Sequence, residues 1–497
     1  MVLKEECGIC GISSTDRAEL KIFKMLIQLQ HRGQLSAGIT AYKPNDSLLL
    51  KTHKDLGLVN NVFRAENKTK FNTIMDSLKS TKAIGHTRYA TFGTDNKDYA
   101  QPFERTHGKR SKWFSICFNG NITNYEQLKS NIERQGYHMI RDSDTEIIMH
   151  LISKSLRENE GLELKQVLEK ALTKVDGSYC LAYINAEGTL AALRDPLGIK
   201  PLSFAEKDGE MAFASESVAL HSIGFHNIHE LEPGHILIHE NNATRIERFI
   251  ASNKKAHCFF EWIYFAHPAS KLEGKLVYDV RRELGRQLAK NETEAIDENS
   301  VVVAVPDSSM PAAIGFSEEL DLPLREGLIR NRYVGRTFIE SEDRAARVKD
   351  KFIVLRDMFF GKKVFLVEDS IVRGTTLKSL ISYIRKAGSP KEIHVRVSCP
   401  PIMWPCFYGI DMGSKKGLIA KSDNSIEKTV EAVKELVGVD SIKYQTFDAL
   451  IKSIGLPEND LCTACLTGKY PTSVGQQMSL FNGEGRAYET TKKIVEE

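Results

Sequence analysis

Residues 362–388, KKVFLVEDSIVRGTTLKSLISYIRKAG, set the folding pattern of the second half of this chain. Val364, Phe365, Leu366 and Val367 make an apolar run of strand length, as expected for a strand buried on both faces. A polar loop follows. Leu377, Leu380, Ile381 and Ile384 then recur at helical spacing, and Gly388 ends the helix. Residues 301–320, VVVAVPDSSMPAAIGFSEEL, repeat the strand–turn–helix order, and EIHVRVSCPP at 392–401 reads as the next strand. Such units predict a parallel, doubly wound sheet. Ligands of these sheets bind beyond the carboxyl ends of the strands, where Glu368 and Asp369 fall. Two adjacent carboxylates suit sugar hydroxyls or a hydrated Mg2+ ion. Arg373, Gly374, Thr375 and Thr376 open the helix, whose free N–H groups suit a phosphate. The same residues would also serve as a plain strand end and helix cap. No G-x-x-x-x-G-K-[ST] run occurs, so this is not a P-loop.

The 497 residues suggest two to four domains. Charged residues make up 27% and hydrophobic ones 41%, an ordinary globular balance. The formal charge of +3 is too small to argue for nucleic acid or a membrane surface as partner. No run of 18 apolar residues is present, so no transmembrane helix is expected. The opening MVLKEE carries two acids and no apolar core, so it does not read as a signal peptide. Nine scattered cysteines without an export signal point to a reducing, cytoplasmic setting.

The first 250 residues mix strands, turns and helices. ELKIFKMLIQLQHRG places Ile22, Met25, Leu26 and Leu29 on one helix face before Gly33, while GSYCLAYIN and GHILIHE alternate as half-buried strands. This half predicts an α+β layered domain, with the boundary between the halves near residues 245–270. Cys7 and Cys10 form a C-x-x-C that alone reads as a metal pair, a redox pair or neither. Cys462 and Cys465, in NDLCTACLTGKYP, form another; two further thiolates would suit zinc or an iron–sulfur cluster.

Two sets of motifs then point to one family. VFLVEDSIVRGTT resembles the phosphoribosyl-pyrophosphate (PRPP) motif of type I phosphoribosyltransferases. CGICGI, QHRGQLSAGI, GHTRYAT, FNGNITN and SDTE, in that order, resemble the N-terminal-nucleophile (Ntn) glutaminase domain of glutamine amidotransferases. With NRYVGRTFI and CFYGID, the resemblance spans about residues 7–470 and is to the glutamine PRPP amidotransferases of purine synthesis. It implies an αββα Ntn-hydrolase sandwich over residues 7–250 and an α/β phosphoribosyltransferase domain with a parallel sheet over residues 251–475. A leader, 1–6, precedes them and a polar tail, 476–497, follows.

In the first domain the resemblance makes Cys7 the nucleophile. Asn119 and the Gly120 N–H become the oxyanion hole, Arg88 the partner of the glutamine α-carboxylate and Asp144 the acceptor from its α-ammonium. Arg32 and Gly33 fall in a matching substrate loop. A free α-amino group, with pKa about 7.7–8.0, can take the thiol proton without a histidine. Cys7 would then be residue one of the mature chain, so removal of MVLKEE is expected. Two departures stand out: Leu35 where relatives usually carry an acid, and Phe118 where they often carry His.

In the second domain the resemblance places Glu368 and Asp369 on the ribose hydroxyls and Mg2+, and Arg373, Gly374, Thr375 and Thr376 on the 5′-phosphate. Ser308, in VPDSS, lies near the metal. Lys351 and IRNRYVGRTFI fall in a loop that closes over PRPP and excludes water. Among the cysteines the resemblance selects Cys258, Cys406, Cys462 and Cys465 as ligands of a structural [4Fe–4S] cluster. Cys10, Cys117, Cys180 and Cys399 are expected in the core. The resemblance further implies a homotetramer inhibited by purine nucleotides. A labile product and free ammonia call for a closed internal path, and Tyr89, beside Arg88, is expected to couple glutamine binding to loop order. The rival amidotransferases, glucosamine-6-phosphate synthase and asparagine synthetase, need a second half that VEDSIVRGTT does not fit. A PRPP-aminating paralogue of another pathway, and a PRPP-sensing regulator without activity, share these motifs.

Overall fold

The computed structural model describes residues 7–89, 96–331, 349–410, 412, 418–420 and 425–480. The expected leader, residues 332–339 of the closing loop, and the tail beyond 480 lie outside the described residues.

The first half is built on two antiparallel sheets. The seven-stranded sheet runs, edge to edge, His229–Glu230, Ser203–Lys207, Glu210–Ala214, Gly8–Ser13, Lys82–Arg88, Ser36–Tyr42 and Leu50–Leu56. The six-stranded sheet runs Ala243–Arg248, His235–Glu240, Leu190–Arg194, Gly177–Asn185, Phe114–Ile122 and Phe103–Arg105. Side chains alternate across each strand, and three apolar layers result. Ile9, Ile84, Cys117, Cys180, Phe213 and Leu237 fill the space between the sheets. Cys10 and Ile12 face outward onto Ile22, Met25 and Leu26 of the helix Ala18–Gln28. Phe114, Ile116 and Phe118 face outward from the other sheet onto the helices Tyr125–Glu133, Asp144–Glu158 and Leu164–Leu172. The order helix, sheet, sheet, helix is the expected αββα sandwich.

The second half has one five-stranded sheet, ordered Leu324–Arg325, Ser300–Ala304, Lys363–Glu368, Glu392–Val397 and Ser441–Tyr444, with every pair parallel. Val302, Ala304, Phe365 and Val367 pack on the helix Met310–Leu320 and the end of Val277–Lys290. Val301, Val303, Val364 and Leu366 pack on the opposite side with Leu377, Leu380, Ile381 and Ile384 of the helix Thr375–Gly388. The sheet is therefore covered on both faces, as its unbroken apolar strands require.

The helix Ser473–Leu480 runs across residue 476, the expected start of the tail, because Met478 is drawn into the main core. The two halves meet over polar contacts: Asn121 Nδ2 donates to Phe407 O at 2.8 Å and Ser178 Oγ to Tyr408 O at 2.8 Å.

Helices Val277–Lys290 and Met310–Leu320 cross at glycines. A Cβ on Gly315 would sit 1.9 Å from Arg282 O, and one on Gly285 would sit 1.8 Å from Ala312 O. This crossing seats the loop 305–309 against the sheet. Gly315→Val is expected to lose about 1–3 kcal/mol or more through overpacking, read as a lower urea midpoint with the slope unchanged.

Candidate functional site

Cys7 directly precedes the strand Gly8–Ser13. Gly8 pairs with Thr87 in the antiparallel neighbour, so residue 7 lies opposite Arg88. The Cys7 thiol is 3.7 Å from Tyr89 O, its hydrogen-bond acceptor. The period of two puts residue 7 on the same face as Ile9, between the sheets. On the facing strand Phe114–Ile122, Cys117 shares that face, and so does Asn119, two residues on. Burial, then the neighbouring Cys10 and Cys7 thiols, push Cys117 well above its usual range. Asn119 is 1% exposed, and its Nδ2 has no hydrogen-bond acceptor among the described residues. An unmet buried donor costs about 1–3 kcal/mol, so this one stands ready for an oxygen that arrives later. Gly120 pairs with Tyr179, and a Cβ there would lie 2.0 Å from Ser178 O. Only glycine lets the two strands close here.

His86 ties the two sheets together at this end. Its Nε2 lies 3.1 Å from Phe118 O, and burial pushes the ring down to about 3. The imidazole is neutral and Nε2 is the donor. Phe118 itself points into the outer helix layer, so this departure from the family pattern is a packing residue. Leu35 is held by its backbone, with its N–H on Arg88 O at 3.0 Å.

Arg88 is buried under the ring of Tyr99, with its guanidinium carbon 5.3 Å from the centroid. Gly33 touches the Arg88 backbone so closely that a Cβ would lie 2.6 Å from its carbonyl carbon. Asp144 opens the helix Asp144–Glu158 and accepts from the Ile122 N–H at 2.9 Å. Burial pushes its carboxyl up to about 7, and the single backbone donor offsets only part of that shift. A cationic ligand would restore its charge.

The Arg32 side chain has partners that the sequence did not foretell. It is buried; Nε donates to Cys7 O at 3.2 Å, Nη1 to Glu216 at 2.7 Å, and Nη2 to Glu261 at 2.7 Å. Glu216 is held well below the usual carboxylate range by the charges of His31 and Arg32, against its burial. The guanidinium thus holds the Cys7 carbonyl and, through Glu261, reaches the second half of the chain.

At the carboxyl end of Lys363–Glu368, Glu368 and Asp369 stand beside each other. Ser308 Oγ donates to Asp369 Oδ2 and Ser370 Oγ to Oδ1 at 2.6 Å. Burial and then the neighbouring Asp369 raise Glu368 well above the usual range, offset by Lys351. Burial raises Asp369 too, offset by Ser308, Ser370, Arg281 and Lys351. Two carboxylates that repel each other in a buried site fit a divalent cation. Gly374, at φ 68°, turns the chain into the helix Thr375–Gly388, and a Cβ there would lie 2.4 Å from Ile419. Arg373, Thr375 and Thr376 surround that turn and are half-buried.

The four selected cysteines line one small cavity with Ile199, Lys200, Tyr408, Ile410 and Ala464. Cys258 and Cys462 are direct partners in a parallel two-stranded ladder, and the Tyr408 N–H lies 3.3 Å from Cys406 Sγ. Burial pushes the Cys462 thiol up to about 12 and Cys465 well above its usual range, so thiolates here need a bound cation. Among the described residues no three His, Cys, Asp or Glu side chains are grouped to hold a single metal ion. A cubane cluster is held at its corners, with ligand sulfurs further apart than around one ion, and the four-cysteine lining fits that donor set. Cys10, Cys117, Cys180 and Cys399 are fully buried core residues.

A glutamine amidotransferase domain pattern matches residues 86–222, and a phosphoribosyl transferase domain pattern matches residues 275–440. The amidophosphoribosyltransferase of Methanothermobacter thermautotrophicus is 42% identical over 487 residues, covering 96% of this chain and 97% of that one. The Bacillus subtilis amidophosphoribosyltransferase is 38% identical over 484 residues, 96% of each chain. A solved glutamine PRPP amidotransferase from B. subtilis, in complex with ADP and GMP, superposes with a TM-score of 0.83 at 36% identity, covering 94% of this chain and 98% of that one.

The chain belongs to the amidophosphoribosyltransferases. It is a pentosyltransferase of purine biosynthesis that aminates PRPP at the expense of glutamine. Within the amidophosphoribosyltransferase framework, the structure brings Cys7, Arg88 and Asn119 to one end of the sandwich, and Ser308, Glu368, Asp369 and Lys351 to one end of the parallel sheet. Sequence reasoning missed Glu216 and Glu261, which hold the Arg32 side chain. A lone acid in the apolar run CFFEWIYF was the available signal for Glu261.

Asp144 also makes a stability signature. A carboxyl raised from 3.8 to about 7 in the fold destabilises progressively as pH climbs between those values. Asp144→Asn keeps an acceptor for the Ile122 N–H. It is expected to melt at higher temperature than wild type at pH 8 and to match it near pH 4, by differential scanning fluorimetry.

Proposed function

We propose that Cys7 hydrolyses glutamine and that the ammonia released there is delivered to PRPP at Glu368, Asp369 and the 373–376 turn. The observation that carries this reading is the unmet Asn119 amide donor on the face it shares with Cys7. The α-amino group of Cys7, freed by loss of MVLKEE, takes the thiol proton as sulfur attacks the amide carbon. The carbonyl oxygen becomes an oxyanion held by Asn119 Nδ2 and the Gly120 N–H. The proton then passes to the departing nitrogen as ammonia leaves, and water cleaves the thioester to glutamate. Arg88 pairs with the α-carboxylate of glutamine and Asp144 with its α-ammonium. Gly33 allows the backbone of this loop to close on Arg88, and Arg32 fixes the Cys7 carbonyl.

At the second centre ammonia attacks the anomeric carbon of PRPP as pyrophosphate leaves, giving 5-phosphoribosylamine. Glu368 and Asp369 hold the ribose hydroxyls, with Ser308 beside them; the Mg2+ they would bind neutralises the pyrophosphate. Lys351 offsets the same carboxylates and belongs to the loop that closes on the substrate, and Tyr89 relays glutamine occupancy to that loop. Cys258, Cys406, Cys462 and Cys465 would hold a [4Fe–4S] cluster that pins His257–Cys258 to Leu461–Cys462. Residues 7–250 and 251–475 act as the glutaminase and transferase domains of a cytoplasmic homotetramer. The ADP and GMP of the B. subtilis neighbour's complex support purine nucleotides as inhibitors.

Cys7→Ala is expected to lose glutaminase and glutamine-dependent amination while keeping amination driven by added ammonium. Asn119→Ala is expected to lower glutaminase kcat by about 10²–10³. Glutamine-dependent turnover surviving in Cys7→Ala, or active enzyme whose intact mass retains residues 1–6, would refute the mechanism. Purified anaerobically, the protein is expected to carry iron and acid-labile sulfide in equal amounts; zinc in their place would refute the cluster.

A further inference from the structure

Phe407 and Tyr408, in the CFYGID stretch of the second half, take no part in the chemistry above, yet both are buried. Their carbonyls are held by side chains of the first half. Asn121 Nδ2 donates to Phe407 O at 2.8 Å, and Ser178 Oγ, fully buried, donates to Tyr408 O at 2.8 Å. Gly409, at φ 107°, then carries the chain close past the same strand: a Cβ there would lie 3.7 Å from Asn121 Cβ.

The two donors are themselves partners. Asn121 stands opposite Ser178 in the antiparallel ladder, next to the pair of Gly120 with Tyr179. Alternation along the strand Phe114–Ile122 shows where the Gly120 N–H points. The Phe118 N–H donates to Gln101 Oε1 at 2.7 Å and the Ile122 N–H to Asp144 Oδ2 at 2.9 Å, both on the edge away from Gly177–Asn185. The Gly120 N–H, midway between them, opens on that edge. The same period of two puts the Asn121 side chain on the face of Asn119. The backbone has no slack here, because a Cβ on Gly120 would already lie 2.0 Å from Ser178 O. Moving Ser178 or Asn121 therefore moves the strand that carries the Asn119 amide and the Gly120 N–H.

We propose that Ser178 and Asn121 are positioning residues for glutamine hydrolysis, clamping the oxyanion-hole strand onto the Phe407 and Tyr408 carbonyls of the transferase half. The hole is then set by backbone from the other half of the chain. The inference rests on the reading of Asn119 and Gly120 as the oxyanion hole.

The test is glutaminase kinetics on the whole enzyme with PRPP and Mg2+ saturating. Ser178→Ala is expected to lower kcat about tenfold. The KM for glutamine is expected to stay within about twofold, because Arg88 and Asp144 hold the other end of the substrate. Once the hole is disabled by Asn119→Ala, adding Ser178→Ala is expected to cost about threefold or less, since both changes act through one device. Should Ser178→Ala fail to fold, Asn121→Ala removes the neighbouring donor and is expected to show the same pattern. An unchanged kcat, a KM that rises as far as kcat falls, or a full tenfold loss persisting on the Asn119→Ala background would overturn the proposal. Failure of the oxyanion-hole reading shows separately, as wild-type glutaminase kcat in Asn119→Ala alone.

Discussion

The buried cluster of Arg32 with Glu216 and Glu261 joins residues that are far apart in sequence. Arg32 comes from the loop after the first helix, Glu216 from the end of the first domain's seven-stranded sheet, and Glu261 from the turn that opens the second half. The Arg32 side chain and that of Glu216 are wholly shielded from water, and Glu261 nearly so. A buried charge left without its partner costs about 3–5 kcal/mol, so none of the three can move independently. The carbonyl of Cys7 also belongs to the cluster, accepting from Arg32. The position of the Cys7 carbonyl is therefore tied to the docking of the two halves.

Several buried side chains carry an unmet polar atom among the described residues, and the polar groups of the two sites stand out by where they lie. Asn119 holds an unmet donor, Asp144 is raised by burial, and Glu368 and Asp369 repel each other in a closed site. Asn119 lies within a strand, Asp144 at the start of a helix and the acidic pair at the end of a strand, where rigid backbone holds each in place against its own cost. Each also matches a piece of the chemistry: an oxyanion for Asn119, an α-ammonium for Asp144, and a divalent cation with sugar hydroxyls for the acidic pair.

Much of this was legible in the sequence, for physical reasons. Val364–Val367 is apolar without a break because its strand is covered on both faces; GSYCLAYIN, expected half-buried, is buried throughout because its strand too lies between two apolar layers. Gly33, Gly120 and Gly374 sit where backbones meet or turn left-handed, so short motifs around them survive as patterns. The tail boundary was less legible, because one buried methionine, Met478, extends a helix through an otherwise polar stretch. The partners of the Arg32 side chain were not legible, because a motif gives a residue's neighbourhood in sequence, whereas Glu216 and Glu261 reach it from 184 and 229 residues away.

The central claim is that nitrogen travels from glutamine at Cys7 to PRPP at the parallel sheet without mixing with the solvent. Glutamine labelled with 15N in its amide, supplied with PRPP, Mg2+ and excess unlabelled ammonium at a pH where most of it is protonated, tests this directly. The account expects the label to dominate in the phosphoribosylamine trapped from the reaction. Product carrying mainly unlabelled nitrogen would contradict it.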